Sequence, residues 1–293
     1  MIKSKVKIRP LDIVVLLVLF AIGVYIAYRI KVQLHYKWNW SAMPNYFFRY
    51  DDEEGGWVTN VLIQGLLTTI RLSIWGSIFA TIFGTVMGLC RISRVLFLRL
   101  VSRVYVEFIR NTPPLVLIFI FYFFIGDQII PVFGADDFIR AQPERVQKVF
   151  EVLFAPPALF SAFLSALLTL SLLEGAYIAE IVRSGIQSIE RGQWEASKAL
   201  GLSRWQQMRY VILPQALQRI LPPLAGQFIS LIKDSSIVSV ISIQELTFQA
   251  TELMAATYFT IEIWVIVAVL YLMLTLTCSL AVERLEVRMA RRR

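Results

Sequence analysis

The sequence predicts an all-helical integral membrane protein that crosses the bilayer six times. Of its 293 residues, 57% are hydrophobic and only 17% charged, with a mean hydropathy of +0.64; a soluble domain of this size is not so apolar. The charges gather between long apolar runs, and no segment shows the two-residue alternation of a transmembrane barrel. The bases are also lopsided. Segments 1–10, 91–103, 183–219 and 284–293 hold four, four, six and five of the 29 Lys and Arg, against three each in 31–56 and 126–156. Basic loops stay on the cytoplasmic side, so both termini are expected inside.

Lys3, Lys5, Lys7 and Arg9 precede an apolar run from Ile13 to Tyr28. The run is longer than a signal-peptide core and ends without an A-x-A site, which favours a retained helix over a cleaved signal. Residues 31–56 then form an outer segment with Asp51, Asp52, Glu53 and Glu54, and with Trp38, Trp40, Tyr46 and Trp57 as interfacial aromatics. Residues 57–90 read as one helical stretch. Arg71 is awkward in lipid, so Trp57–Thr69 is expected to be an interfacial elbow, with the span starting near Arg71.

Residues 91–103 carry Arg91, Arg94, Arg99 and Arg103 and no acid, and read as a cytoplasmic connection. Spans are expected at 104–125, from Pro156-Pro157 to Arg183, at 222–245 and at 259–282. An outer loop of mixed charge fills 126–156, a cytoplasmic loop 184–221, and a short loop joins the last two spans. The expected division is 1–56 as an N-terminal helix and outer segment, 57–283 as a transmembrane domain, and 284–293 as a basic cytoplasmic tail.

The formal net charge of +8 fits topology better than nucleic acid, because no basic stripe is interleaved with base-stacking aromatics. Cys90 and Cys278 lie far apart in apolar runs, and His35 is the single histidine, so neither a disulfide framework nor a metal site is expected. No glycine is followed by lysine, which excludes a phosphate-binding P-loop in this chain.

The cytoplasmic loop holds Glu195-Ala196-Ser197, three residues, Gly201, nine residues, Val211, one residue, then Leu213-Pro214. This spacing resembles the EAA loop of ABC import permeases, with Ser197 for the second Ala and Val211 for Ile. Glu195 near a helix start favours the dipole. Ala196 and Ser197 are expected to let that helix approach a partner, Gly201 to end it, and Leu213-Pro214 to stop a second helix. Three further segments, Glu107 to Pro113, Gly175 to Arg183 and Leu231 to Ile237, resemble the E-x-x-R-G-T-P, AYxAExxR and LIKDTSL stretches of the polar amino-acid branch (histidine, glutamine, glutamate and arginine type), with Asn111 where Gly is usual.

The resemblance covers roughly 57–283. It implies a type I ABC importer permease core of five helices, here with one extra N-terminal helix, in a bacterial inner membrane. It implies an ATPase dimer that binds ATP and magnesium in place of this chain, a second permease subunit, an extracytoplasmic binding protein and an amino-acid substrate.

Intramembrane charges are functional suspects. Arg110, Glu174, Glu180, Lys233 and Asp234 qualify, and Tyr177 shares a face with Glu180. Asn111-Thr112-Pro113 should interrupt its helix and expose backbone groups. An amino acid needs a cation such as Arg110 or Lys233 for its carboxylate, and an acceptor such as Glu174, Glu180 or Asp234 for its ammonium. The alternative is that Arg110–Glu180 and Lys233–Asp234 are internal ion pairs. Gly84 and Gly88 form a G-x3-G pattern that permits close helix packing. The competing class, an ion-coupled carrier or channel, should show an inverted repeat, and none is apparent.

Overall fold

A computed structural model describes residues 10–33, 36, 38–52 and 55–290. The sequence features at Lys3, Lys5, Lys7, Arg9, His35, Glu53, Glu54 and Arg291–Arg293 lie outside the described residues. The chain divides into two compact units between Trp40 and Ser41. In the first, α1 (Pro10–Gln33) presents Leu11–Tyr25 as an exposed, almost wholly apolar surface, as a lipid-facing helix does.

In the second unit the expected elbow at 57–69 is corrected. Residues 48–59 form an antiparallel hairpin of β1 (Phe48–Asp51) and β2 (Gly56–Thr59). Gly55 supplies the left-handed turn residue, at φ +64°, and Tyr50 meets its cross-strand partner Trp57 ring edge to ring face at 5.9 Å. Helix α2 (Val61–Arg91) then starts at once: the Asn60 side chain accepts from the Val61 amide and donates to the Asn45 carbonyl. Arg71 therefore lies inside an unbroken helix of 31 residues.

The next span is also not a straight helix over 104–125. Helix α3 (Leu96–Asn111) takes in Arg99 and Arg103, and α4 (Pro114–Phe121) follows at a bend of 119°. Thr112 is extended, as a residue before proline must be, and Pro114 opens α4 at a position needing no amide donor. The break read from Asn111-Thr112-Pro113 is present.

Residues 126–156 are structured. The run from α4 continues in π and 3-10 turns to Phe133, then α5 (Ala135–Arg140) and α6 (Glu144–Leu153) follow. Asp136 accepts from the Ser161 amide, holding the start of α7 (Phe160–Gln187), which lacks a capping side chain of its own. Helix α7 is the axis of the bundle, and its face packs on α2. A Cβ at Gly88 would lie 2.8 Å from the Ala179 carbonyl oxygen, so the G-x3-G pattern does permit close backbone approach.

After α8 (Arg191–Ala199) and the short α9 (Arg204–Gln206), helical structure runs unbroken through Ile212 into α10 (Leu213–Asp234). Leu213-Pro214 does not stop a helix. A proline ring normally collides with the carbonyl four residues back, here that of Tyr210. The widened π turns over Gln207–Ile212 relieve that collision. The expected start at 222 moves back accordingly, and Pro222 and Pro223 sit inside α10. A 3-10 segment ends the run at Ile241, and the short loop expected before the last span is helix α11 (Leu246–Thr257), followed by α12 (Thr260–Ala290). The buried Glu245 carboxylate caps α11 by accepting from the Phe248 amide, and accepts from the Tyr271 hydroxyl. Among the described residues four helical runs are long and apolar enough to cross a membrane, or five if α3 and the run from Pro114 form one bent span.

Candidate translocation path and coupling surface

Two stations lie along α7 and a third lies beyond its end. At 1.5 Å per residue, Glu174 is about 16 Å from Phe163 near the start and about 20 Å from Gln187 at the end. Around Glu174 is a cavity of about 330 Å³, walled by Ile109 and Pro114 at the helix break, by Glu174 and Tyr177 of α7, and by Gln227, Ser230 and Asp234 of α10. Glu174 is 3% exposed. Gln227 donates to its carboxylate, and Asp234 lines the same cavity. Two acids and a tyrosine thus face one cavity beside broken backbone, the arrangement expected where a polar solute crosses.

Tyr177 shares this cavity with Glu174, not with Glu180 as the sequence suggested. Glu180, two turns on, is enclosed by arginines from three helices. It accepts from Arg183 Nε at 3.0 Å, is ion-paired with Arg91, and lies 4.0 Å from Arg110. Arg91 also reaches Glu107 at 3.5 Å. Arg110 and Glu180 do not line the cavity, and their contact belongs to a tie between the ends of α2, α3 and α7. Asn111 and Thr112 turn their side chains back on Glu107 and Phe108. The alternative Lys233–Asp234 pair is not formed: no ion pair within 4.0 Å joins them, and Lys233 is exposed while Asp234 lines the cavity with Glu174.

The third station is the element carrying the EAA spacing. Helix α8 ends in a Schellman motif, with the Gly201 amide donating to the Lys198 carbonyl and the Leu202 amide to the Ser197 carbonyl, while Gly201 takes φ +75°. Ser203 and Gln206 form a reciprocal capping box that starts the second helix three residues on. Two readings are corrected. Glu195 is fifth of nine residues in α8, beyond the first turn where the dipole acts. Ser197 is buried within its own chain, donating to the Trp194 carbonyl, so Glu195 and Ala196 are exposed and Ser197 is not. Val211 and Leu213 pack with Trp194 on an aliphatic core that includes Val182, Ile186, Ile212 and Ile220, which fastens the two-helix knob to the bundle.

Residues 80–291 match the family described as binding-protein-dependent transport system inner membrane component. The chain belongs to this family. The permease is 39% identical over 229 residues to the glutamine transport system permease protein GlnP of Escherichia coli (strain K12), covering 78% of this chain and 93% of that one. It is 35% identical over 220 residues to the probable amino-acid ABC transporter permease protein YckA of Bacillus subtilis (strain 168), covering 75% and 84%. Among solved structures, a crystal structure of an amino acid ABC transporter with histidines superposes with a TM-score of 0.65 at 31% identity, covering 86% of this permease and all of that chain. The inward facing MetNI methionine ABC transporter, at 20% identity and a TM-score of 0.57, shares the fold. The permease is therefore an inner-membrane ABC transport subunit with the type I core, and not an enzyme. Nothing in these likenesses favours an ion-coupled carrier.

Sequence reasoning missed several residues of the permease. Gln227 and Ser230 stand seven and four residues before Asp234 on one face of α10, a spacing that could have revealed them. Leu200, Trp205 and Tyr210 are 79%, 67% and 64% exposed on the knob. Large apolar side chains left in the open on a basic loop are the signal of a partner surface.

Proposed function

We propose that this permease carries amino acids across the inner membrane, with the Glu174–Asp234 cavity as the transit site and the α8–α9 knob as the coupling surface. The observation that carries the reading is the joining of two carboxyl groups from α7 and α10 in one cavity beside the Thr112–Pro113 break. Such a cavity suits the ammonium of an amino acid and, with two acids present, favours a polar or cationic side chain. The glutamine and amino-acid names of the relatives support the same cargo class.

The working assembly has two permease chains enclosing the path, and an ATPase dimer that binds ATP and magnesium and grips Glu195, Ala196 and Gly201 with Leu200, Trp205 and Tyr210. Val211, Leu213 and Pro214 transmit its movement into α10. A binding protein delivers cargo to the opposite side, and both termini are cytoplasmic. The boundaries are an N-terminal helix and outer segment over 1–56, the transport core over 57–283 and a basic tail. Purification of the tagged chain from its native membranes tests this. An ATPase should come with it and be lost when Glu195 and Gly201 are replaced; a preparation that never contains an ATPase contradicts the assembly.

A further inference from the structure

Arg71 takes no part in the path described above. It lies 20 residues before Arg91 on the unbroken α2, so it is about 30 Å from the coupling end of that helix. That is about the thickness of the hydrocarbon core, so Arg71 stands near the outer boundary of the span, where its charge favours an anion. It opens into a second cavity, of about 280 Å³, which also contains Glu151 of α6. Neither side chain closes an ion pair within 4.0 Å among the described residues, and Lys148, one turn from Glu151, is taken by Glu144 at 2.8 Å.

The rest of the lining is suited to a polar solute. Gln64, Thr68 and Arg71 make a polar stripe along one face of α2, leading inward from the hairpin end. Gln244 and Gln249 add two amides from the other wall. Two breaks in helical structure meet there. One is Ala155-Pro156, between α6 and α7; the other is 242–244, before α11. Ser242 takes φ +61° as the left-handed cap of the 3-10 run that ends at Ile241, its amide donating to the Ser239 carbonyl and the Ile243 amide to the Val238 carbonyl, so the chain turns sharply at this wall. Non-helical backbone at membrane depth is tolerated where it lines a polar cavity. Phe163 and Ile243 on this wall belong to the same apolar cluster as Ile109, Ile118 and Leu173 of the deeper cavity, so the two spaces are parts of one bundle core.

We propose that the Arg71–Glu151 cavity is an outer binding site for the zwitterionic head of a free α-amino acid, Arg71 taking the α-carboxylate and Glu151 the α-ammonium. The inference rests on the amino-acid reading of the deeper cavity. It adds a site that recognises the head group common to all amino acids, upstream of the cavity whose acids respond to the side chain. Cargo released at the outer face is held at Arg71 and passes inward past Phe163 and Ile243.

The test is equilibrium binding to the permease purified with its ATPase in lipid nanodiscs, without binding protein. L-glutamine and L-arginine serve as probes. Two sites per permease are expected, one of them binding both probes alike. Arg71→Gln weakens that site at least about tenfold for both probes, the loss of one charge-assisted contact. Arg71→Lys retains it, and N-acetyl-L-glutamine, which has no ammonium, fails to occupy it. Asp234→Asn weakens the other site instead, and that site is the internal check that Arg71→Gln has folded. If Arg71→Gln does not assemble, Glu151→Gln makes the same comparison. Binding of both probes to Arg71→Gln as to the unaltered protein overturns the outer site. Loss on Asp234→Asn alone then leaves the transport reading standing, whereas no loss on either variant, or no binding of either probe to the unaltered protein, sinks both.

Discussion

Gly84 of α2 lies so close to the Gly175 carbonyl oxygen of α7 that a Cβ on Gly84 would sit 2.7 Å from it. The two helices touch backbone to backbone, and four residues on Gly88 repeats the contact against Ala179. In lipid there is no hydrophobic drive between helices, so this close van der Waals approach is what holds α2 on the bundle axis.

Gly84→Val is therefore expected to lower stability by about 1–3 kcal/mol or more, because the obstacle is backbone and cannot swing aside. Thermal unfolding of the purified permease in nanodiscs measures it. An unchanged Tm means that α2 and α7 are further apart than described.

Glu180→Gln leaves Arg91, Arg110 and Arg183 without their shared carboxylate. Glu180 keeps 24% of its side chain exposed, so the loss is moderated by water and is expected at about 1–3 kcal/mol. A substrate-binding Glu180 predicts instead a folded protein of normal stability that fails in uptake. Unfolding and uptake measured on the same preparation separate the two.

On the knob, Leu200→Asp should abolish retention of the ATPase, since a central exposed apolar anchor of an interface is worth about 2 kcal/mol or more. Gly201→Val forces a β-branched residue to φ +75° and should weaken retention while costing about 1–2 kcal/mol of local stability. Co-purification from detergent-solubilised membranes reads both, and full retention in Leu200→Asp contradicts the assigned surface.

Glu245→Ala removes the acceptor of the Phe248 amide and the Tyr271 hydroxyl in a fully buried place. A loss of about 1–3 kcal/mol is expected from those orphaned donors. Protease nicking near α11 should rise with it; an unaffected cleavage pattern contradicts the capping role.

The sequence carried much of this because its strongest signals are one-dimensional. Apolar runs and unevenly placed bases locate the spans, Thr112-Pro113 marks the break through the pre-proline constraint, and the Glu195 to Gly201 spacing places the knob. Gly84 and Gly88 name a packing face, though not its partner. What escaped depends on how helices meet. Glu174 and Asp234 are 60 residues apart, and nothing along the chain states that α7 and α10 bring them together. Arg110 comes within 4.0 Å of Glu180, yet Arg91 and Arg183, from two other elements, lie closer to it. Pro214 misled because a stop and a π-widened passage look alike as letters. The hairpin was legible in principle, from Phe48 and Tyr50 alternating toward Gly55-Gly56, but four-residue strands beside a membrane span are easily read as helix.

In the proposed mechanism amino acids cross through the cavity shared by α7 and α10. Uptake of radiolabelled L-glutamine and L-arginine into proteoliposomes, with the binding protein outside and ATP inside, tests it most directly when the unaltered permease is compared with the Glu174→Gln, Asp234→Asn double variant. The double variant is expected to assemble with its ATPase while its uptake of both amino acids falls by at least about a hundredfold, the loss of two polar contacts to cargo in transit. Uptake by the double variant at the unaltered rate would place the path elsewhere in the bundle.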